Sequence, residues 1–559
     1  MNKNAILLAA SLLMLAIGLQ VRAQSAPNPH AQARPKLVVG IVIDQMRFDL
    51  LYRFYDNYAE RGAFKRMLHQ GYSYANMHYN YIPTYTAPGH ASIYTGTTPA
   101  SHGIVSNEWY EPRLKRNVYC VEDSTVNNLG GSNEETGMSP RNLVATTITD
   151  QLRLAQNFAG KTIGIALKDR GAILPAGHTA TGAFWFDRNN GNWITSTFYG
   201  QALPAWLAAF NNRRVADSLA ALGWQPSLPP DQYKASSADD APWEDRLSGM
   251  DKPTLPAKIV IKPATQKRGR YTDLLPTPAA NQMTLLAAQA AFDAEKLGQG
   301  PATDFLAISF SAPDYCGHTF GPNSVEVQDM YIKLDRQLGD FMDMLEKKIG
   351  KDKVLFFLSA DHGAATVPEY MRANKMPGGR VNYKKLQAKI DSVLDATFGA
   401  AAWVESYYGQ ELFLNPAALA QYKLNKTTVC DFIAQWVVNV EGVKRAVTLA
   451  EMETSTAPEA VARRNGYFEK RRGDLHIAYL PGWVDGSEDS RGTTHGSPYS
   501  YDTHVPMLWY GWRIQPGVCY RAVTIPDIAP TLASFLRIEN PSACTGQPLV
   551  EVLERALGK

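Results

Sequence analysis

Five apolar, β-branched runs punctuate the chain, and three of them finish at an aspartate. They are KLVVGIVID (Lys36 to Asp44), KTIGIALKD (Lys161 to Asp169), DFLAISFSAPD (Asp304 to Asp314), KVLFFLSADHG (Lys353 to Gly363) and HVPMLWYG (His504 to Gly511). Short apolar runs of this kind read as strands of a parallel sheet, buried on both faces. Helical patterns lie between some of them. The clearest is Val325 to Ile349, where apolar residues recur at close to 3.6 spacing. Strands alternating with helices predict an α/β fold, with a mostly parallel sheet flanked by helices on both faces.

Two stretches interrupt this rhythm. The region around 180–280 is rich in Trp, Pro, Asn and Ser, and SSADDAPWEDRLSGMDKPTLPAK within it is loop-like. The region 371–485 has short helices and strands of its own. Both read as insertions forming a cap over the sheet. The core then comes in three parts, 36–180, 301–370 and 486–559, with caps at 181–300 and 371–485. The chain's 559 residues are ample for a large core and more than one lobe.

At the N-terminus Lys3 precedes an apolar run from Ala5 to Leu19, followed by Val21-Arg22-Ala23. A basic start, a short apolar core and small residues at a cleavage position predict a secretory signal over 1–23 and a periplasmic or secreted protein without a stable membrane anchor. A formal net charge of +3 gives no indication of a nucleic-acid or membrane partner. The five cysteines lack CxxC spacing, which argues against a cysteine zinc site. In an oxidising compartment Cys519 and Cys544 are the first pair expected to bridge.

Open α/β sheets bind ligands at the carboxyl ends of their strands. Those ends carry Asp44, Asp314 with His318, and Asp361 with His362, while RGTTHGSPYSYDTHVP adds His495 and His504. A lone aspartate at such a place is most often a cap or turn residue. The set is different. Aspartate and neutral histidine suit zinc, and six such groups suffice for two ions. A two-metal site can clamp both oxygens of an in-line displacement at phosphorus. The stretch IPTYTAPGHASIYTG (Ile82 to Gly96) then offers a nucleophile, since Thr86 follows a turn and precedes a helix start. A threonine hydroxyl needs a base or a metal to activate it. Thr84, Ser92 and Thr95 are the competing hydroxyls and read as capping or packing residues.

The segments VVGIVIDQMR, PTYTAPGHASIYTG, HGIVSNEWY, LKDRGAILPAGH, DYCGHTFGPNS, SADHG and GTTHGS together resemble the alkaline phosphatase superfamily, and within it the PafA-type phosphate-irrepressible alkaline phosphatases near the nucleotide pyrophosphatase/phosphodiesterase branch. The resemblance runs from about Lys36 to the C-terminus. It implies one zinc held by Asp44, Asp361 and His362, and another held by Asp314, His318 and His495. It implies that Thr86 is the nucleophile and a metal contact, and that phosphate monoesters are hydrolysed through a phosphothreonine. By the same resemblance Asn107, Lys168 and Arg170 reach the phosphoryl oxygens. Two cations suit a monoester dianion better than a diester, which would call for an apolar pocket. The alternative on the same fold is a phosphodiesterase or nucleotide pyrophosphatase. The C/S-x-P-x-R motif of sulfatases is absent from the nucleophile region. His90 and His102 need not touch metal, His178 either lines the cleft or packs, and His504 reads as structural. Strand alternation would point Asp169 away from the cleft.

Overall fold

The computed structural model describes residues 34–132, 136–266 and 269–557. The signal segment expected at 1–23 lies outside the described residues. From Pro35 onward the chain is built on one sheet. Its principal strands are β1 (Leu37–Ile43), β2 (Tyr72–His78), β3 (Thr162–Ala166), β4 (Gly182–Asp187), β5 (Asn192–Ser196), β6 (Asp304–Phe310), β7 (Val354–Ser359), β8 (His504–Gly511) and β9 (Gly517–Cys519). Their order is β9-β2-β8-β7-β1-β6-β3-β4-β5. The run β7-β1-β6-β3-β4 is parallel throughout. Every residue of β1, β6 and β7 is buried, as expected for strands covered on both faces.

Four helices matter for the site: α1 (Thr86–Thr95), α2 (Asp169–Ala176), α3 (Ala312–Phe320) and α4 (Val325–Ile349). The periodicity of α4 marks both its ends. Ser324 caps it by accepting from the Val327 amide, and Lys347 and Lys348 sit in its last turn.

Three sequence expectations are corrected here. First, β8 runs antiparallel to β7 and β2. The preceding loop, which carries His495, already lies at the carboxyl end of the parallel strands, so the chain enters β8 from that end. Second, two strands stop early. β6 gives way to α3 at Ala312, with Pro313 in the first turn, where a missing N–H costs little. Likewise β3 ends at Ala166, and Lys168 stands at the N-cap of α2. Third, all five cysteines are free. Cys519 lies in β9, whereas the Cys544 sulfur sits against Gly96 at the end of α1.

The regions read as insertions are built differently from each other. Residues 182–196 extend the main sheet as β4 and β5. Residues 381–479 gather around a separate apolar core that includes Ile390, Trp403, Leu412, Ile433 and Ile477. A four-stranded sheet within that region comprises Val404–Tyr408, Glu411–Leu414, Leu475–Tyr479 and Val443–Thr448.

Candidate active site

Adjacent strands lie about 4.8 Å apart, so the order β7-β1-β6-β3 brings their carboxyl-end residues together. β7 delivers Asp361 and His362, β1 delivers Asp44, β6 leads into Asp314 and His318, and β3 leads into Lys168. Asp314 and His318 are one turn apart on α3 and so lie on one face.

These residues form two clusters. Asp44, Asp361 and His362 make one, and Asp314, His318 and His495 make the other. In each, one potential ligand atom per residue lies within 4.8 Å of the others. The histidines share a feature that fixes their chemistry. Nδ1 of His362 donates to the Gly363 carbonyl at 2.9 Å, Nδ1 of His318 to that of Thr493 at 2.7 Å, and Nδ1 of His495 to that of Thr84 at 2.7 Å. A carbonyl only accepts, so each Nδ1 carries a proton, and each Nε2 is left facing a carboxylate cluster. The His318 and His495 Nε2 atoms lie 3.1 and 3.6 Å from Asp314 Oδ1. That of His362 lies 3.4 Å from Asp44 Oδ1.

The donor set fits bound metal. Asp44 Oδ1 and Asp361 Oδ2 are buried with no hydrogen-bond partner, an expensive arrangement for carboxylates unless a cation meets them. Burial, and then the charge of Asp314, raises the Asp44 carboxyl. Burial and then Asp44 raise Asp361 well above the usual range. Burial also works upward on Asp314, but His318 and Lys168 together hold it well below the ordinary value. Burial pushes His362 down to about 3, and burial with the neighbouring His362 and His318 lowers His495. Both are therefore neutral, as metal ligation requires.

Thr86 is the first residue of α1 and is 1% exposed. Its Oγ1 lies 3.5 Å from His362 Nε2 and 3.4 Å from Lys168 Nζ. Every residue of α1 is buried. Gly89 makes this possible, because a Cβ there would stand 2.2 Å from the Asp361 carbonyl oxygen. Asn107 Oδ1 accepts from the Ala87 amide at 2.8 Å, and Asn107 lines a cavity of about 310 Å³ with Tyr85, His318 and His495.

Lys168 bridges the two clusters. Its Nζ lies 2.6 Å from Asp44 Oδ2 and 2.5 Å from Asp314 Oδ2. Burial works against its charge, yet these two carboxylates raise it above the usual lysine range. Arg170 is anchored through Nη1 to the Tyr119 hydroxyl at 2.9 Å. It joins Lys168 in lining a second, polar cavity of about 460 Å³. Asp169 lines that cavity too and accepts from Tyr119 at 2.5 Å, so it does not turn away. Strand alternation fails here because residues 168–170 start a helix.

The remaining histidines are accounted for by packing and hydrogen bonds. His90 bonds the Thr86 carbonyl and Ser309, and His102 bonds Ser92. His178 spans Asp150 and the Leu143 carbonyl, and His504 stacks on Phe48. Sequence reasoning missed Gln45. Its amide donates to Asp361 at 3.1 Å and its side chain to Asp314 at 2.8 Å, from a backbone φ of 67°. Its position directly after Asp44 was the available signal. The carboxamide fits because residue 317 is glycine, where a Cβ would lie 1.8 Å from Gln45 Oε1. Tyr383, Tyr408 and Asp485 also line the smaller cavity, far in sequence from the carboxyl ends of the parallel core strands.

The type I phosphodiesterase / nucleotide pyrophosphatase family matches residues 38–499. Alkaline phosphatase PafA of Elizabethkingia meningoseptica is 44% identical over 95% of this chain and 96% of its own. Alkaline phosphatase PhoV of Synechococcus elongatus is 43% identical, with 96% of each chain covered. The crystal structure of wild-type alkaline phosphatase PafA matches with a TM-score of 0.88 at 43% identity, over 94% of this chain and all of that one. With its motifs, its fold and these relatives in agreement, the chain belongs to the type I phosphodiesterase / nucleotide pyrophosphatase family, among the PafA-type alkaline phosphatases.

Proposed function

We propose that this phosphoric monoester hydrolase is a zinc-dependent alkaline phosphatase that transfers the phosphoryl group through Thr86. One observation carries the reading: the Thr86 hydroxyl sits at the N-terminus of a buried helix, within 3.5 Å of His362 Nε2 and Lys168 Nζ, beside one of two three-residue clusters that Lys168 joins. Asp44, Asp361 and His362 would hold one ion, and Asp314, His318 and His495 the other. Zinc bound there supplies Lewis-acid polarisation of phosphoryl oxygen and favours the ionised form of a coordinated hydroxyl.

Thr86 Oγ bonds to phosphorus as the bond to the ester oxygen breaks. Water then attacks phosphorus, the Oγ–P bond breaks, and inorganic phosphate leaves. The helix N-terminus favours negative charge on Oγ and on the phosphoryl oxygens. Asn107 donates through Nδ2 to one phosphoryl oxygen, and Lys168 and Arg170 supply positive charge for the others. The substrates are small phosphate monoesters. Among the described residues no helix is long and apolar enough to cross a membrane. Export to the periplasm or medium is part of the proposal and rests on the N-terminal sequence. The 371–485 region, together with the part of 181–300 outside β4 and β5, sets the leaving-group preference.

The test is kcat/KM for an aryl phosphate monoester and for its methyl diester, each in zinc buffer and after chelation. Monoester turnover should dominate and vanish on chelation. Diester preference would retain the nucleophile and move the enzyme to phosphodiester hydrolysis. Thr86→Ala should abolish turnover while zinc content survives, and near-normal activity in that variant would remove Thr86 from the mechanism.

A further inference from the structure

A third acidic cluster lies outside the two already described. Glu326, in the first turn of α4, is 1% exposed, and neither of its carboxylate oxygens has a hydrogen-bond partner. Glu244 is also buried. Its Oε1 is unpartnered, and its Oε2 accepts from the Ala241 amide at 3.2 Å. Asp239 is exposed. One oxygen from each of the three lies within 4.8 Å of the others. No salt bridge among the described residues reaches these carboxylates, and the nearby Lys252 is paired with Asp240. Carboxylates buried together without a cation are costly.

We propose that Asp239, Glu244 and Glu326 form a third metal site, which takes a calcium ion. The donors are all oxygen, in contrast to the mixed Asp/His sets around Thr86, and this selects a hard cation over zinc. Calcium–oxygen distances of about 2.3–2.6 Å allow two ligands of one ion to stand up to about 5 Å apart. Magnesium is less suited, because it holds its waters and prefers a tight octahedron. Asp239, at the surface, gives the ion a way in.

The site would fasten the 236–245 loop beneath the zinc ligands. Ser237 N donates to the Asn323 carbonyl at 2.7 Å, Ser236 Oγ to that of Ser324 at 2.9 Å, and Asp245 N to that of Thr319 at 2.8 Å. Thr319 directly follows His318. From the other side Gly492 N donates to the Trp243 carbonyl at 2.8 Å, next to Thr493, whose carbonyl orients His318. An ion bridging the loop and α4 therefore braces the backbone on both sides of His318.

Calorimetric titration of the zinc-loaded protein with calcium chloride tests this directly. We expect one calcium per chain, much weaker magnesium binding, and an unfolding midpoint raised by about 2–5 °C at calcium a hundredfold above its Kd. Glu326→Gln should abolish both binding and shift. Asp239→Asn, at an exposed position that does not endanger folding, should weaken calcium at least tenfold and leave the calcium-free midpoint unchanged. Absence of binding to the zinc-loaded wild type would overturn the proposal. So would binding that persists undiminished in both variants. An equal response to magnesium would overturn the calcium assignment. If the acids are merely buried in protonated form, Glu326→Gln will retain its stability and calcium will change nothing, which also overturns the site.

Discussion

Replacing Lys168 with alanine should destabilise the protein far more after chelation than with zinc bound. The Lys168 side chain is 3% exposed, against 0% for Asp44 and 3% for Asp314, and its ammonium meets both carboxylates. Removing one partner of a buried ion pair costs about 3–5 kcal/mol, because the remaining charge is left without compensation. Each kcal/mol moves the midpoint by roughly 2–4 °C in a domain of 150–250 residues, and by less in a longer chain. For chelated protein, Lys168→Ala should therefore lower the midpoint by roughly 3–10 °C. With zinc in the clusters the same carboxylates have cations of their own, and the deficit should shrink to about 2 °C or less. Scanning calorimetry on both proteins, chelated and zinc-loaded, gives the four midpoints required. The sign of the coupling matters as well. Lysine and metal compete for Asp44 and Asp314, so zinc should bind the variant at least as tightly as the wild type, even as turnover falls. An equal drop with and without zinc would refute the reasoning, since it would mean that metal does not neutralise these carboxylates.

Other perturbations separate the remaining parts of the site. Asn107→Ala removes an oriented donor and should lower kcat roughly a hundredfold with zinc content unchanged, as measured by steady-state kinetics and metal analysis. Arg170→Ala should cost roughly 10–100-fold in kcat/KM on an aryl monoester and less on the methyl diester; an equal loss on both would sever Arg170 from monoester selectivity. In the 371–485 region Glu411 is buried, and although burial works upward on it, Arg472, Arg463 and His476 hold its carboxyl at about 2, against the usual 4.5. A depressed value means stability that is fully present above pH 4.5 and is lost as pH falls toward 2, worth about 3 kcal/mol. Glu411→Gln should therefore lower the unfolding midpoint at pH 7 by a margin that closes in acid, and a constant margin down to pH 3 would contradict this origin.

The parallel core was legible because its strands carry an unmixed apolar signal, and α4 because its period and caps agree. The strand ends were harder to read. Apolarity continues past Phe310 through Ser311-Ala312-Pro313, so hydropathy alone cannot say where β6 yields to α3, although the four-residue gap from Asp314 to His318 is itself helical spacing. The direction of β8 depends on where the chain enters it, which a local run of residues does not encode. Within the site, acids and histidines stood out by residue type. Gln45 did not, since a carboxamide after a strand is unremarkable until its two carboxylate partners, from β7 and α3, are placed beside it. Tyr383, Tyr408 and Asp485 reach the cavity through tertiary packing of a region with a core of its own, and no periodicity announces that.

The way this region meets the core ties leaving-group recognition to phosphoryl positioning. Thr86 and Asn107 both lie in the segment from Ile82 to Asn107, and the 371–485 region grips that segment at both ends. At the near end Gly466 packs on the Ile82 carbonyl, where a Cβ would stand 1.9 Å from the oxygen, and Ile82 N donates to the Ala462 carbonyl at 3.2 Å. At the far end Arg471 donates to the Gly103 carbonyl at 2.5 Å and Arg472 to that of Val105 at 3.4 Å, while Arg472 is itself fixed by Glu411 at 2.7 Å. Tyr383 and Tyr408, which line the smaller cavity, are tied to these anchors: Tyr408 pairs with Glu411 across two strands, and the Tyr383 ring lies against Tyr407. A displacement of that region would pull on the backbone that carries Thr86 and Asn107. If the phosphoryl group passes through Thr86 as proposed, changes in this region should therefore register in kcat as well as in KM.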